Sequence, residues 1–328
     1  MVSRDETLRI LLRGGLALAL GVLSTLAAAQ GYPTRPVRMI IPFPPGGSND
    51  IVGRMIAAQL GERLGHQVVV DNRGGAGGTI GTELAARAPA DGYTLLLIST
   101  AYAFNTSIYR KLPYDPAKSF APVALLGIGP GVLVVNPALP VNSVAELVAL
   151  AKERPGKLNN ASAGVGSFQH LASELFRIQA GIQWLHVPYK GGGPAMVDLM
   201  GGQADVSVGS LIQMLPHIRS GKLKALGTTG AKRSAVLPEV PSVAEAGVPG
   251  FEATNWWGIL VPAGTPQVIV DRLHQALAAV QASVETKRRF ETEGAEARET
   301  TPAEFGAFIA AETVKWARVV KEAGISAE

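Results

Sequence analysis

The stretch that decides the fold is VRMIIPFPPGGSNDIV, residues 37–52. It begins with an apolar run typical of a buried strand, passes through two prolines and two glycines, and ends where apolar residues recur at helical spacing. A strand, a glycine-rich turn and a helix start together present backbone N–H groups to an anion. The stretch therefore predicts an α/β fold with a loop that holds a nucleotide phosphate, a reacting group or a carboxylate.

Short β-rich runs and helical patterns alternate along the rest of the chain, as in α/β folds with mostly parallel sheets. Two such series predict two lobes, each a mostly parallel sheet flanked by helices. The predicted boundaries are residues 30–131 with 253–328 for lobe 1, 132–252 for lobe 2, and hinges near 128–135 and 253–260. The long run 123–136, broken by glycine and proline, is expected to pass from one lobe to the other. Ligands on such sheets bind outside the carboxyl ends of the strands, which places the ligand cleft between the lobes.

The composition indicates a folded globular protein, because 47% of the 328 residues are hydrophobic and 17% are charged. The chain has no cysteine, which excludes disulfides, thiolate catalysis and cysteine-type zinc sites. The formal net charge of +4 is a mild excess that favours anions. No cluster of lysines and arginines interleaves with aromatic residues, so nucleic acid is not an expected partner.

The first 29 residues have the pattern of a secretory signal peptide. Arg4, Arg9 and Arg13 precede an apolar segment, residues 16–29, that ends in three alanines. The segment is too short for a dependable membrane span. We predict cleavage after Ala29 and a periplasmic location.

Four loops at predicted strand ends are rich in Gly, Ser, Thr or Asn, and they are residues 42–50, 99–105, 162–170 and 188–195. Backbone amides and hydroxyls presented in this way can solvate a carboxylate without a dedicated arginine. Ser167 is placed to cap a helix that continues to Gly181.

Nucleotide binding and catalysis find less support in the sequence. The run GGAGGTIG (74–81) satisfies G-x-G-x-x-G only superficially, and no loop ends in the Lys-Ser/Thr of a Walker A motif. There is no G-x-S-x-G and no histidine pair with metal-ligand spacing. Within the four loops, Ser167 and His170 form the only closely spaced Ser/His pair; no orienting acid accompanies it, so capping is the favoured role. We therefore expect no enzyme activity, metal or cofactor; an exported α/β hydrolase or transferase using this pair is the less favoured alternative.

Six stretches carry a resemblance to a known family, and they are YPTRPVRMIIPFPPGGSNDIVGRMIA, VVVDNRGGAGGTIGTELAARAPADGYTLLL, NASAGVGSFQHLASELF, HVPYKGGGPAMVDLMGGQAD, LPEVPSVAEAGVPGFE and WGILVPAGTP. In order, they cover nearly the whole chain after residue 29. The chain resembles the solute receptors of tripartite tricarboxylate transporters, also called Bug receptors. The resemblance implies a type 2 periplasmic binding-protein fold whose two lobes close on a small ligand.

The resemblance also implies a carboxylate clamp formed by a loop from each lobe. The residues carried over are Phe43, Gly46, Gly47, Asn49 and Asp50 from the first loop, Ser162, Gly164, Gly166, Ser167 and His170 from the second, Tyr189 and Lys190 nearby, and Asp205 in support. The sequence departs from the family pattern at Pro44–Pro45, where a small residue is expected in at least one position.

The implied partners are a small carboxylate and a membrane permease with a large and a small subunit. We expect the receptor itself to be a monomer. An alternative with the same fold and loops is a ligand-sensing partner of a membrane sensor. The sequence does not separate these two functions.

Overall fold

Ten strands form one sheet in residues 31–326, the part of the chain that this computed structural model describes. The strands are β1 (Val37–Ile41), β2 (Val68–Asn72), β3 (Thr94–Ser99), β4 (Phe120–Val135), β5 (Asn159–Ser162), β6 (Leu185–Pro188), β7 (Val206–Ser210), β8 (Lys224–Thr228), β9 (Thr254–Pro262) and β10 (Glu296–Ala297). The helices are α1 (Ser48–Leu64), α2 (Thr79–Ala86), α3 (Thr100–Ile108), α4 (Val144–Glu153), α5 (Phe168–Ala180), α6 (Gly192–Met200), α7 (Leu211–Arg219), α8 (Gln267–Ala282), α9 (Val284–Thr292) and α10 (Pro302–Ala323), with a 3₁₀ turn at Ala76–Gly78.

The predicted signal peptide and its cleavage site lie outside the described residues. Between residues 31 and 326, no helix combines the length and the apolar character that crossing a bilayer requires.

The sheet is mixed, with the strand order β2-β1-β3-β9-β4-β7-β5-β6, and with β8 and β10 paired to β4. The first half-sheet consists of β1, β2, β3, β9, β10 and the first part of β4, and in it β1 pairs in parallel with β2 and β3. The second half-sheet consists of the last part of β4 with β5, β6, β7 and β8, and in it β5 pairs in parallel with β6 and β7. The α/β class is confirmed. The prediction of mostly parallel strands is wrong, because β9 and β4 run antiparallel to their neighbours along the middle of the sheet.

Strand β4 belongs to both half-sheets. Its first part, through Pro130, pairs with β9, and its last part, from Gly131, pairs with β7 and β8. Gly131 lies where the strand changes partners, and a Cβ there would come within 2.8 Å of the carbonyl oxygen of Gly209. The run 123–136 thus passes from one half-sheet to the other as the sequence predicts. The lobe and hinge boundaries given above stay predictions.

Thr229 joins the two segments that connect the half-sheets. Its N–H donates to the carbonyl of Gly131 at 2.9 Å, and its Oγ1 accepts from the Gly131 N–H at 2.6 Å. The same hydroxyl donates to the carbonyl of Ala253, whose N–H donates to the Thr229 carbonyl at 2.9 Å. One fully buried side chain therefore ties β4 to the segment that enters β9.

Replacing Thr229 by valine is expected to lower the free energy of unfolding by about 1–3 kcal/mol. The buried N–H of Gly131 and the buried carbonyl of Ala253 would both lose their hydrogen bond to the Thr229 hydroxyl. Urea unfolding measures the change. Thr228→Val is the matched control, because the Thr228 hydroxyl is equally buried but makes one hydrogen bond of 3.5 Å. Equal losses in both variants would contradict a special role for Thr229.

Helix α10 packs against both halves of the molecule. It begins with a capping box in which Thr301 and Glu304 bond each other's backbone N–H groups. Trp316 is fully buried, with its ring centroid 4.6 Å from that of Phe104. Trp316 also joins the core cluster that contains Leu171 of α5. The C-terminal stretch, predicted as part of lobe 1, therefore also contributes to the core of the second half.

One local prediction is wrong, and one helix is missed. The segment 99–105, predicted as a loop, contains most of α3, whose first residues lie directly after β3. Helix α9 is not predicted, because it buries only Thr286 and Phe290 and so lacks an apolar stripe.

Candidate functional site

A cavity of about 40 Å³ lies between the two half-sheets. Its lining residues are Phe43, Gly47, Ser48, Asn49, Ser99, Ala163, Ser167, Phe168, Gln169, Gly192, Ser210, Gln213 and Asn255. None of these residues carries a charge. A volume of this size accommodates roughly three water-sized groups, which matches the three heavy atoms of a carboxylate.

Helix N-termini converge on this cavity. Gly47, Ser99, Ser167 and Ser210 are the N-cap residues of α1, α3, α5 and α7, and all four line it. The N-terminus of a helix carries unpaired N–H groups and the positive end of the helix dipole. The cavity therefore favours an anion although none of the described residues that line it is a cation.

Three buried donors at the cavity have no hydrogen-bond partner within the described residues. They are the side-chain nitrogens of Gln169 and Gln213 and the hydroxyl of Ser210. These residues are only 2–5% exposed. A buried donor without a partner costs free energy that an acceptor placed in the cavity would recover.

The wall from the first half is held by a hydrogen-bond network. The Asn49 side chain accepts from the indole N–H of Trp257 at 3.1 Å and donates to Ser99 Oγ at 3.2 Å. The Asn255 side chain accepts from Thr100 Oγ1 at 2.8 Å. Trp257 is fully buried, so it has no exposed face on which a ligand could stack. Its indole N–H instead positions the Asn49 side chain through their hydrogen bond.

Asp50 braces the first loop. Its carboxylate accepts from the Gly46 N–H at 3.1 Å, from Arg54 Nε at 2.9 Å and from Asn72 Nδ2 at 3.0 Å. Burial alone would raise the pKa of Asp50, but the hydrogen bonds from Arg54, Gly46 and Asn72 outweigh it and hold the pKa below its usual value. Asn72 also donates to the Phe43 carbonyl at 3.0 Å. Gly46 and Asp50 thus shape the loop and do not line the cavity.

Two stacked histidines support the second loop. The rings of His170 and His186 lie 4.1 Å apart with an interplanar angle of 15°. His186 Nε2 lies 2.6 Å from Ser162 Oγ, which accepts from the Gly164 N–H, and His170 Nδ1 accepts from the Gly166 N–H. Burial lowers the pKa of His170 to about 3, with a contribution from His186, and lowers that of His186 to about 4. Both rings are therefore neutral at physiological pH.

Acidification from pH 6.5 to about 4.5 is expected to lower the free energy of unfolding by about 2–5 kcal/mol through these two histidines. In the unfolded chain they take up protons near pH 6.5, whereas in the folded protein they stay neutral until about pH 4 and 3. The unfolded state then binds more protons, so this stability is present above pH 6.5 and is lost as the pH falls. Urea midpoints between pH 7 and 4.5 measure the slope.

The slope should diminish in His186→Gln and persist in His66→Gln, which changes a histidine outside the stacked pair. An identical slope in both variants would contradict the assignment.

Ser167 is a helix cap. Its Oγ accepts from the backbone N–H of His170 at 3.2 Å, as predicted from the sequence, while the His170 ring bonds to Gly166. The two side chains form no nucleophile–base pair. No group of three or more His, Asp or Glu side chains in residues 31–326 could hold a metal ion.

The other predicted residues lie farther out. Tyr189 and Lys190 border a neighbouring compartment together with Gly164. Asp205 directly precedes β7, and its carboxylate accepts from the Asn159 N–H at 2.7 Å. It therefore orders the first residue of β5, which lies at the end of β5 that is away from the cavity. Among the predicted site residues, those that line the cavity are Phe43, Gly47, Asn49 and Ser167.

Sequence reasoning missed several lining side chains, namely Ser48, Ser99, Gln169, Ser210, Gln213 and Asn255. A signal existed for Ser99 and Ser210, because each is a serine at the junction where a strand ends and a helix begins. Ser is a preferred N-cap residue at such junctions. The two glutamines stand in the first turn of α5 and of α7, and nothing in their sequence surroundings marks them as lining a cavity.

Comparisons with known proteins agree with this architecture. Residues 52–325 match the family described as "Tripartite tricarboxylate transporter family receptor". BugT of Bordetella pertussis is 41% identical over 318 residues, covering 96% of this chain and 98% of that protein.

Two solved structures are similar over most of the chain. The structure of R. palustris Rpa4515 with adipate has a TM-score of 0.88 at 38% identity and covers 90% of this chain and 99% of that one. MatC from Rhodopseudomonas palustris with bound malate has a TM-score of 0.84 at 32% identity, covering 88% and 100%. The predicted periplasmic binding-protein fold is confirmed.

Members of the matched family are solute-binding receptors and not enzymes, which confirms the expectation that the protein is not an exported hydrolase or transferase. The resemblance to the Bug receptors is confirmed as well. The chain belongs to the receptor family of the tripartite tricarboxylate transporters.

Proposed function

We propose that this protein is a periplasmic receptor that binds a small carboxylate in the cavity between the half-sheets. The observation that carries the proposal is the convergence of three unpartnered buried donors and four helix N-caps on one uncharged cavity. Hydrogen bonds to an ionised acceptor contribute more than neutral ones, so a carboxylate fits these donors better than an amide or a sugar hydroxyl does.

Both halves of the molecule contribute to the site, which supports a receptor that closes around its ligand. Ser48, Asn49 and Asn255 come from the first half, and Gln169 and Gln213 come from the second. In our proposal, rotation at hinges near 128–135 and 253–260 opens the cleft, and the carboxylate stabilises the closed form by bonding to both walls.

We further propose that the loaded receptor delivers its ligand to a tripartite tricarboxylate-type permease in the membrane. Family membership supports this partner. The ligands of the similar structures, adipate with Rpa4515 and malate with MatC, support a carboxylate as the cargo.

A thermal-shift screen of the purified protein against small carboxylates, with the corresponding amides and sugars as controls, tests the proposed binding. A carboxylate at ~100 times its dissociation constant should add about 2.7 kcal/mol to the free energy of unfolding and raise the melting temperature. Isothermal titration of each hit then gives the affinity. The proposal fails if only neutral compounds or nucleotides raise the melting temperature.

A further inference from the structure

The cavity described above has room for the carboxylate group and little more. The rest of a ligand must therefore occupy another space that is continuous with it. A second compartment, of about 580 Å³, adjoins the cavity and shares Phe43 and Ala163 with it. The two shared residues mark where the cavity and the compartment meet, and a ligand whose carboxylate is held among the buried donors would extend past them into the compartment.

The walls of this tail compartment are built mainly from carbon. Its lining residues are Phe43, Pro44, Pro45, Asn72, Gly74, Gly75, Ala76, Gly77, Gly78, Tyr109, Ala163, Gly164, Val165, Pro188, Tyr189 and Lys190. Three aromatic rings, three prolines and Val165 are among them. The hydroxyl of Tyr189 donates to Asp198 at 2.8 Å, so Tyr189 offers the compartment its ring and not a free hydroxyl.

Charged side chains that could pair with a second carboxylate are scarce. Lys190 is the one cation among the described residues that line the compartment, and it is exposed to solvent. Arg54 is engaged with Asp50 and Asn72, and Arg73 is engaged with Asp71. The side-chain nitrogen of Asn72 already donates to the Phe43 carbonyl and to the Asp50 carboxylate.

We propose that the tail compartment selects monocarboxylates with an apolar tail, aliphatic or aromatic, over dicarboxylates of the same length. The selection rests on the proposed carboxylate site and adds to it the class of ligand. Transfer of an apolar tail from water to these walls is favourable, whereas a second carboxylate would lose hydration with no buried cation among the described lining residues to pair with it.

Hexanoate and adipate provide the decisive pair, because they share a six-carbon chain and differ only in the second carboxylate. We expect hexanoate and 3-phenylpropanoate to bind the purified protein at least roughly tenfold more tightly than adipate in isothermal titration. Adipate binding as tightly as hexanoate, or more tightly, would overturn the selection and leave the carboxylate site standing. If no carboxylate binds at all, the proposed function itself fails.

Two variants test the cause of the preference. Val165→Lys adds a cation to the tail compartment and should raise the affinity for adipate about fivefold while lowering that for hexanoate. Lys190→Gln removes the exposed cation and should leave hexanoate the preferred ligand over adipate, because a solvated charge contributes little. A tenfold loss of adipate binding in Lys190→Gln would show that Lys190 holds a second carboxylate and would overturn the proposal. Melting temperatures of the unliganded variants report whether each one folds.

Discussion

Replacing Gln169 and Gln213 together by leucine is expected to weaken carboxylate binding by roughly 10²–10⁴-fold, because each side chain offers one hydrogen bond to a charged acceptor. Both nitrogens are buried at the cavity and have no partner within the described residues. Their removal therefore breaks no internal hydrogen bond through these donors. The unliganded variant should be as stable as the parent protein or more stable, while isothermal titration shows the loss of affinity.

Gln281→Leu is the matched control for this pair. Gln281 is also buried, but its side-chain nitrogen donates to the carbonyls of Leu125 and Arg298. Its replacement should lower stability and leave binding unchanged, which is the opposite pattern. A double glutamine variant that is destabilised yet binds normally would show that these donors have a structural role only.

Replacing Trp257 by alanine is expected to lower the free energy of unfolding by about 3–5 kcal/mol. The side chain is fully buried in the core cluster that joins β1, α1 and α8. Such a loss is a large part of the 5–15 kcal/mol by which typical domains are stable, so the variant should unfold at much lower urea concentration. A change below about 1 kcal/mol would contradict the packing described above.

Trp257→Phe separates the packing of this residue from its role at the site. Phenylalanine keeps an aromatic ring but cannot donate to Asn49, so we expect a loss of ligand affinity larger than the loss of stability accounts for. Trp256→Phe is the control, because the Trp256 indole donates to Glu312 of α10 and not to a residue that lines the cavity. Equal effects on affinity in the two variants would refute the positioning role of Trp257.

Features with local causes were predictable from the sequence. Gly181 ends α5 in a left-handed conformation, and Ser167 begins that helix as its cap. Both depend on neighbours within four residues, so the pattern of the chain is sufficient. The first loop was recognisable for the same reason, because strand, turn and helix follow one another within residues 37–52.

Features that depend on distant parts of the chain were not predictable in this way. His170 and His186 look scattered in the sequence, and only the pairing of β5 with β6 brings their rings together. Pairing of β7 with β4 brings the end of β7 beside the cavity. Gln213 lines the cavity because α7, which carries it, begins directly after β7. The antiparallel course of β9 also requires knowledge of its neighbours, since its own apolar run is compatible with either direction.

The position of β9 in the sheet has a consequence for the order in which the protein can be made. Leu260 of β9 pairs with Leu96 of β3 on one side and with Pro122 of β4 on the other. When the ribosome has completed β4, β3 and β4 each have an edge that pairs with β9 in the finished protein. Strand β9 is not translated until the second half of the molecule has been synthesised. Exposed edges of this kind template aggregation. The N-terminal half therefore has no complete sheet of its own during synthesis, and it acquires one only when translation has passed Pro262.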